Sequence, residues 1–107
     1  MSLTVTGRNK AVDALTPTNM TVHSANPGAG GDNQIGTPQS CTFGAASNGV
    51  RALTNQPEFS IPAGTTVAWV VVRDSADDVI AIDELGTPET YSNEGVHRIT
   101  AGSITIN

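Results

Sequence analysis

The sequence predicts a mainly β domain: an antiparallel β-sandwich, jelly-roll-like or a small barrel, preceded by one short helix. Two observations carry this. Short runs with apolar residues at every second position recur about every 8–12 residues, as in sandwiches and barrels. Between them fall most of the 11 glycines and 6 prolines of the 107 residues, which punctuate strands and interrupt helices. A chain of this length has room for one domain, residues 1–107, with a modest core that buries roughly 65% of the unfolded surface.

The elements follow in order. In GRNKAVDAL, residues 7–15, Ala11, Val12 and Leu15 fall at helical spacing. Pro17 then biases Thr16 away from the α region, limiting the helix to two turns. NMTVHS, residues 19–24, alternates Met20 and Val22 with Thr21 and His23, a strand pattern. NPGAGGDNQIGTP, residues 26–38, holds four glycines and two prolines and reads as one long loop, of the kind that often forms a contact surface. Residues 40–43 alternate Cys41 and Phe43, AASNG carries a turn, and residues 50–54 and 58–61 are strand pieces, with Phe59 and Ile61 pointing one way.

Residues 65–73 are the most apolar strand. Alternation puts Val67, Trp69 and Val71 on one side and Ala68, Val70 and Val72 on the other, so both faces need covering. A second sheet is expected over one face and a helix or neighbouring subunit over the other. DSADD turns the chain into VIAIDEL, residues 79–85, an antiparallel neighbour. TPETYSNEG, residues 87–95, reads as a loop, and residues 96–101 and 103–106 as the last strand pieces.

The formal net charge is −5, with only five scattered lysines and arginines. Phosphate-tracking proteins gain their affinity from clustered cations, so nucleic acid is not an expected partner. Asp74, Asp77, Asp78, Asp83, Glu84, Glu89 and Glu94 crowd into 21 residues. Such a run is ordinarily a solvated hairpin tip; the alternative is an acidic contact surface for a basic partner. Lys10 stands alone as the lysine, whereas free edge strands are commonly guarded by lysines. Covered edges, and hence a homo-oligomer, are expected.

Cys41 is the single cysteine, so no internal disulfide forms. Neither an apolar leader core nor a run of 18 apolar residues occurs, and the expectation is a protein made in cytoplasm without a membrane partner.

DSADDV at residues 74–79 lacks the third, sixth and twelfth-position residues of a calcium loop. GAGGDNQIG, residues 28–36, has no phosphate-loop lysine. His23, His97 and Cys41 sit singly on separate strands without the paired spacing of zinc ligands. Without a nameable nucleophile, base or carboxylate pair, no catalytic residue, cofactor or metal is expected. Trp69, alone in a strand, reads first as a core anchor and second as an interface residue.

HSANPGAGG, FGAASNG, FSIPAGTTVAWV, DELGTPETYSNEG and ITAGSITI occur in this order. Together they resemble a family of small virion proteins of tailed bacteriophages, commonly labelled tail-fibre or minor structural proteins. The likeness runs from the short helix through the last strand and is most specific at PAGTTVAWV and the TPET segment. After that strand the family tends to read GLWDA where this chain reads VVVRDS. The resemblance implies a non-enzymatic β-sandwich displayed on a virion, and carries over no binding residue.

The expected function is a capsid decoration (cement) subunit, an oligomer in contact with other virion proteins such as the major capsid protein or tail proteins. A tail-fibre or tail-tip subunit touching the host surface through the glycine-rich or TPET loop is the alternative. A small glycan-binding sandwich, stacking sugars on Trp69 or Tyr91, is the alternative of another class. Trp69, Val70, Val72, Tyr91, Asp77 and Asp78 are the candidate interface residues.

Overall fold

Thr4 opens the fold by capping a helix: its Oγ1 accepts from the Gly7 N–H at 3.0 Å, satisfying a donor the first turn leaves free. The computed structural model describes residues 1–106. In chain order its elements are α1 (Val5–Asp13), β1 (Pro17–His23), β2 (Gln34–Ser40), β3 (Val50–Ala52), β4 (Glu58–Ile61), β5 (Thr65–Asp74), β6 (Val79–Tyr91), β7 (Gly95–Arg98) and β8 (Ser103–Thr105). The helix starts two residues before the expected stretch because Thr4, and not a residue near Gly7, provides the cap.

The fold is mainly β and sandwich-like, with antiparallel sheets and one short helix, as the sequence predicts. β2, β1, β5 and β6 form a four-stranded sheet in that order. The pairs β3–β8 and β4–β7 are two small sheets. Met20, Val22, Val70 and Val72 from the large sheet share one buried cluster with Phe59, Ile61, Ile99 and Ile104, and Val12 of α1 joins it. Each such aliphatic side chain contributes roughly 1.5–3 kcal/mol by leaving water.

Three expectations are corrected. Residues 34–38 belong to β2 and not to the preceding loop. The pairs Met20↔Gln39 and Val22↔Ile35 leave three residues of β2 opposite Thr21 alone, so 36–38 bulge from the ladder. Gly36, at φ +67, and Pro38 are the residues such an irregularity tolerates, and they give a strand the composition of a loop.

Likewise Thr87–Tyr91 extends β6 and is not a free loop. Trp69 pairs with Glu84 and Val67 with Glu89, so residues 85–88 bulge opposite Ala68. Pro88 sits where no ladder bond is required of it.

The same irregularity upsets the strict alternation on β5. Val67 packs in the cluster with Val70 and Val72, whereas Val71 lies outside that cluster. Side chains change sides at Ala68, where the pairing slips.

The glycine-rich loop supplies cover for the other face of the sheet. Residues 24–33 fold back on it: Pro27 is fully buried, and the His23 ring bonds the Asp32 carbonyl at 2.7 Å. A Cβ on Gly31 would lie 2.1 Å from the Arg73 guanidinium and 3.5 Å from Val79. Gly31, at φ +72, is therefore required both by its backbone and by the approach of Arg73. Val71 is fully buried within a single chain, so this part of β5 needs neither a helix nor a neighbouring subunit above it.

Candidate functional site

A cleft of about 530 Å³ opens between the large sheet and the chain leading into β8. Met20, Val70, Val72 and Leu85 form one wall, and residues 97–104 form the other. Its volume lies within the ~300–1,000 Å³ typical of binding clefts. The opening arises from the topology. β6 contributes thirteen residues to the large sheet, while the facing layer offers two short pairs joined by residues 99–102, which lie outside any strand.

Alternation along β6 turns Ala81, Asp83 and Leu85 to the cleft side, where Val72 pairs with Ala81 and Val70 with Asp83. Asp83 is an exposed carboxylate set between two apolar positions, and among the described residues it has no cationic partner. Arg98, on the opposite wall, is held by Glu58 across β4–β7, its Nε donating at 2.8 Å and its Nη2 also bonded to Oε1.

At one end of the cleft His97 Nδ1 lies 3.0 Å from the Tyr91 hydroxyl and 3.2 Å from Glu89 Oε2. A carboxylate accepts only, so the hydrogen resides on Nδ1. The Tyr91 hydroxyl in turn reaches the Val96 carbonyl at 3.3 Å. Desolvation raises the Tyr91 pKa, and the Glu89 charge and hydrogen bond push the same way, keeping the phenol neutral. The cluster fastens the end of β6 to β7.

The six candidate interface residues do not gather at one place. Val70 and Val72, each 6% exposed, lie in the cleft wall. Trp69 is half-buried and outside the core cluster, with His23 and Glu84 as its cross-strand partners; the core-anchor reading of this residue is corrected. Tyr91 closes one end of the β5–β6 ladder opposite Thr65. Asp77 and Asp78 lie beyond Asp74 at the other end, roughly 30 Å away at 3.3 Å per residue.

The hairpin tip is satisfied internally. Asp74 Oδ1 accepts from the Ala76 and Asp78 amides at 3.0 Å, and Arg73 donates to the Asp77 carbonyl at 3.1 Å. Among the described residues no three His, Cys, Asp or Glu groups cluster as a metal site. His23 is held by Thr21 and Asp32, and burial pushes the Cys41 thiol up to about 11.

Sequence reasoning missed the second wall, because residues 97–104 meet the sheet only through tertiary packing. It also missed Asp83, although a charge between Ala81 and Leu85 on one strand face is a legible signal. Compared with family models, with curated proteins and with solved structures, the chain finds no match.

Proposed function

We propose that this protein is a non-enzymatic structural subunit of a tailed-bacteriophage virion, and specifically a capsid decoration subunit that stabilises the particle through contacts with its neighbours. The structural observation that supports this reading is the open cleft bordered by the unpaired side of β6, a surface suited to another polypeptide chain. The ordered series of segments resembling phage virion proteins supports it from the sequence.

Such a subunit works by adding buried area across junctions between capsomers. Any surface that binds the assembled state and not its separated parts shifts the equilibrium toward assembly. The glycine-rich loop, packed on its own sheet, serves the scaffold in this reading and leaves the cleft side for contact. A sugar ring cannot stack on Trp69 and Tyr91 together, since Tyr91 pairs with Thr65, four positions or roughly 13 Å along β5 from Trp69.

Separating capsids from tails and assaying each by mass spectrometry tests the proposal. The protein is expected with capsids; recovery with tails alone replaces decoration by a tail role.

A further inference from the structure

The large sheet ends on β6, and among the described residues the backbone groups of 79–89 find backbone partners only in β5. A row of unpaired N–H and C=O groups is a template for another strand. We propose that this edge, with the cleft beside it, receives an extended segment of a partner protein as a fifth strand, a segment in which apolar and basic residues alternate. This deepens the proposed function by naming the attachment surface and the chemistry that fits it.

Three features define the occupant. The first is the length of the template: residues 81–84 run in regular register between the slip at Ile80 and the bulge at 85–88, giving four positions or roughly 13 Å of strand. The second is the cleft. A strand added to β6 sends alternate side chains to the side of Ala81 and Leu85, over the apolar wall made with Val70 and Val72. Those positions take aliphatic residues.

The third is charge. Asp83 and Glu84 point to opposite faces of β6, and neither has a cationic partner among the described residues. The chain's nearby cations are committed elsewhere: Arg73 to the hairpin tip and Arg98 to Glu58. With the aliphatic side chains of the incoming strand on the cleft side, its lysines or arginines fall on the opposite face and meet Glu84, while Asp83 adds negative charge at the cleft rim. A second copy of this chain, at net charge −5 and with a single lysine, brings like charge to the same edge and is the poorer occupant.

The edge also excludes indiscriminate pairing. Acidic side chains, Pro88 and the bulge do here what lysines do on other edge strands, so a partner must supply basic residues to pair.

The test uses the isotope-labelled full chain and a capped octapeptide of alternating lysine and valine as the probe. Amide hydrogen exchange is followed by NMR with and without peptide. Exchange at the outward amides of residues 81–84 is expected to slow by about tenfold or more, in a manner that weakens with salt. The same peptide with glutamate for lysine, or with backbone N-methyl groups on its pairing edge, is expected to give no protection. The double variant Asp83→Lys/Glu84→Lys, altered at two exposed positions, is expected to bind the lysine peptide at least about tenfold more weakly.

Absence of protection at millimolar peptide overturns the proposal, as does equal protection by the glutamate or N-methylated peptide. If the double variant does not fold, the N-methylated peptide on the unaltered protein decides. Failure here with the protein still found on capsids removes this surface and leaves the decoration role. Peptide binding by a protein absent from particles does the reverse.

Discussion

His23 Nδ1 lies 2.7 Å from the carbonyl oxygen of Asp32, which fastens the end of β1 to the far side of the glycine-rich loop. The carbonyl accepts only, so Nδ1 carries the hydrogen and Nε2 accepts from the Thr21 hydroxyl at 2.7 Å. The ring is fully buried. Its neutral tautomer thus holds together the loop, β1 and, through the loop, the face of the sheet that carries Val71.

A pH dependence follows from that ring. Burial lowers the His23 pKa from its ordinary 6.5; the Asp32 hydrogen bond opposes this, and the Arg73 charge adds to it. The unfolded chain therefore binds the proton more readily than the native one. Stability is fully present above about pH 6.5 and declines as the pH falls from there toward the lower native value. Urea midpoints between pH 7.5 and 5 are expected to fall more for the native sequence than for His23→Gln. Equal declines contradict the assignment.

Gly31 and Gly28 both adopt positive φ, but they differ in surroundings. A Cβ on Gly28 meets nothing within 4 Å, whereas one on Gly31 strikes the Arg73 guanidinium. Gly28→Ala is expected to cost about 1 kcal/mol from backbone strain alone. Gly31→Ala adds displacement of Arg73 and is expected to cost about 2–3 kcal/mol, read as a lower denaturant midpoint.

Arg51 is the clamp between the helix end and the small sheets. Its guanidinium donates to the carbonyls of Gly44 at 2.8 Å, Leu15 at 3.0 Å and Phe43 at 3.2 Å, with Asp13 Oδ1 3.7 Å from Nε. Arg51→Met leaves these carbonyls without the cation and is expected to destabilise by about 2–3 kcal/mol. Amide exchange in α1 should accelerate in the variant. A helix whose protection is unchanged contradicts the clamp.

The two faces of β5 respond differently to substitution. Val72→Lys places an unpaired ammonium in the core wall and is expected to cost about 3 kcal/mol or more. Trp69→Ala, outside the core cluster, is expected to cost about 1 kcal/mol. The measurement is chemical denaturation of both variants, and a reversed order contradicts the placement of the core.

The sequence announces the pleated architecture through alternation at Met20 and Val22, Phe59 and Ile61, and the apolar run of β5. It conceals the bulges. Gly36 and Pro38 read as loop residues because an irregular strand uses the residues a turn uses, and Pro88 misleads in the same way. Val67 shows how a pairing slip defeats a parity argument.

The cleft was half legible. Val70 and Val72 lie in its wall as their strand position suggests, but the opposing residues 97–104 come close only through the layering of the small sheets. The grip of residues 24–33 on the sheet, made through His23 and Gly31, depends equally on contacts that no local pattern encodes.

The central claim is that this subunit belongs to a phage particle and is placed on its capsid. Imaging intact particles at a resolution that separates subunits tests it most directly. The account predicts density fitting a body of 48 × 26 × 24 Å at capsomer junctions, with its β6 edge against a neighbour. Particles that carry such density only on the tail, or nowhere, contradict it.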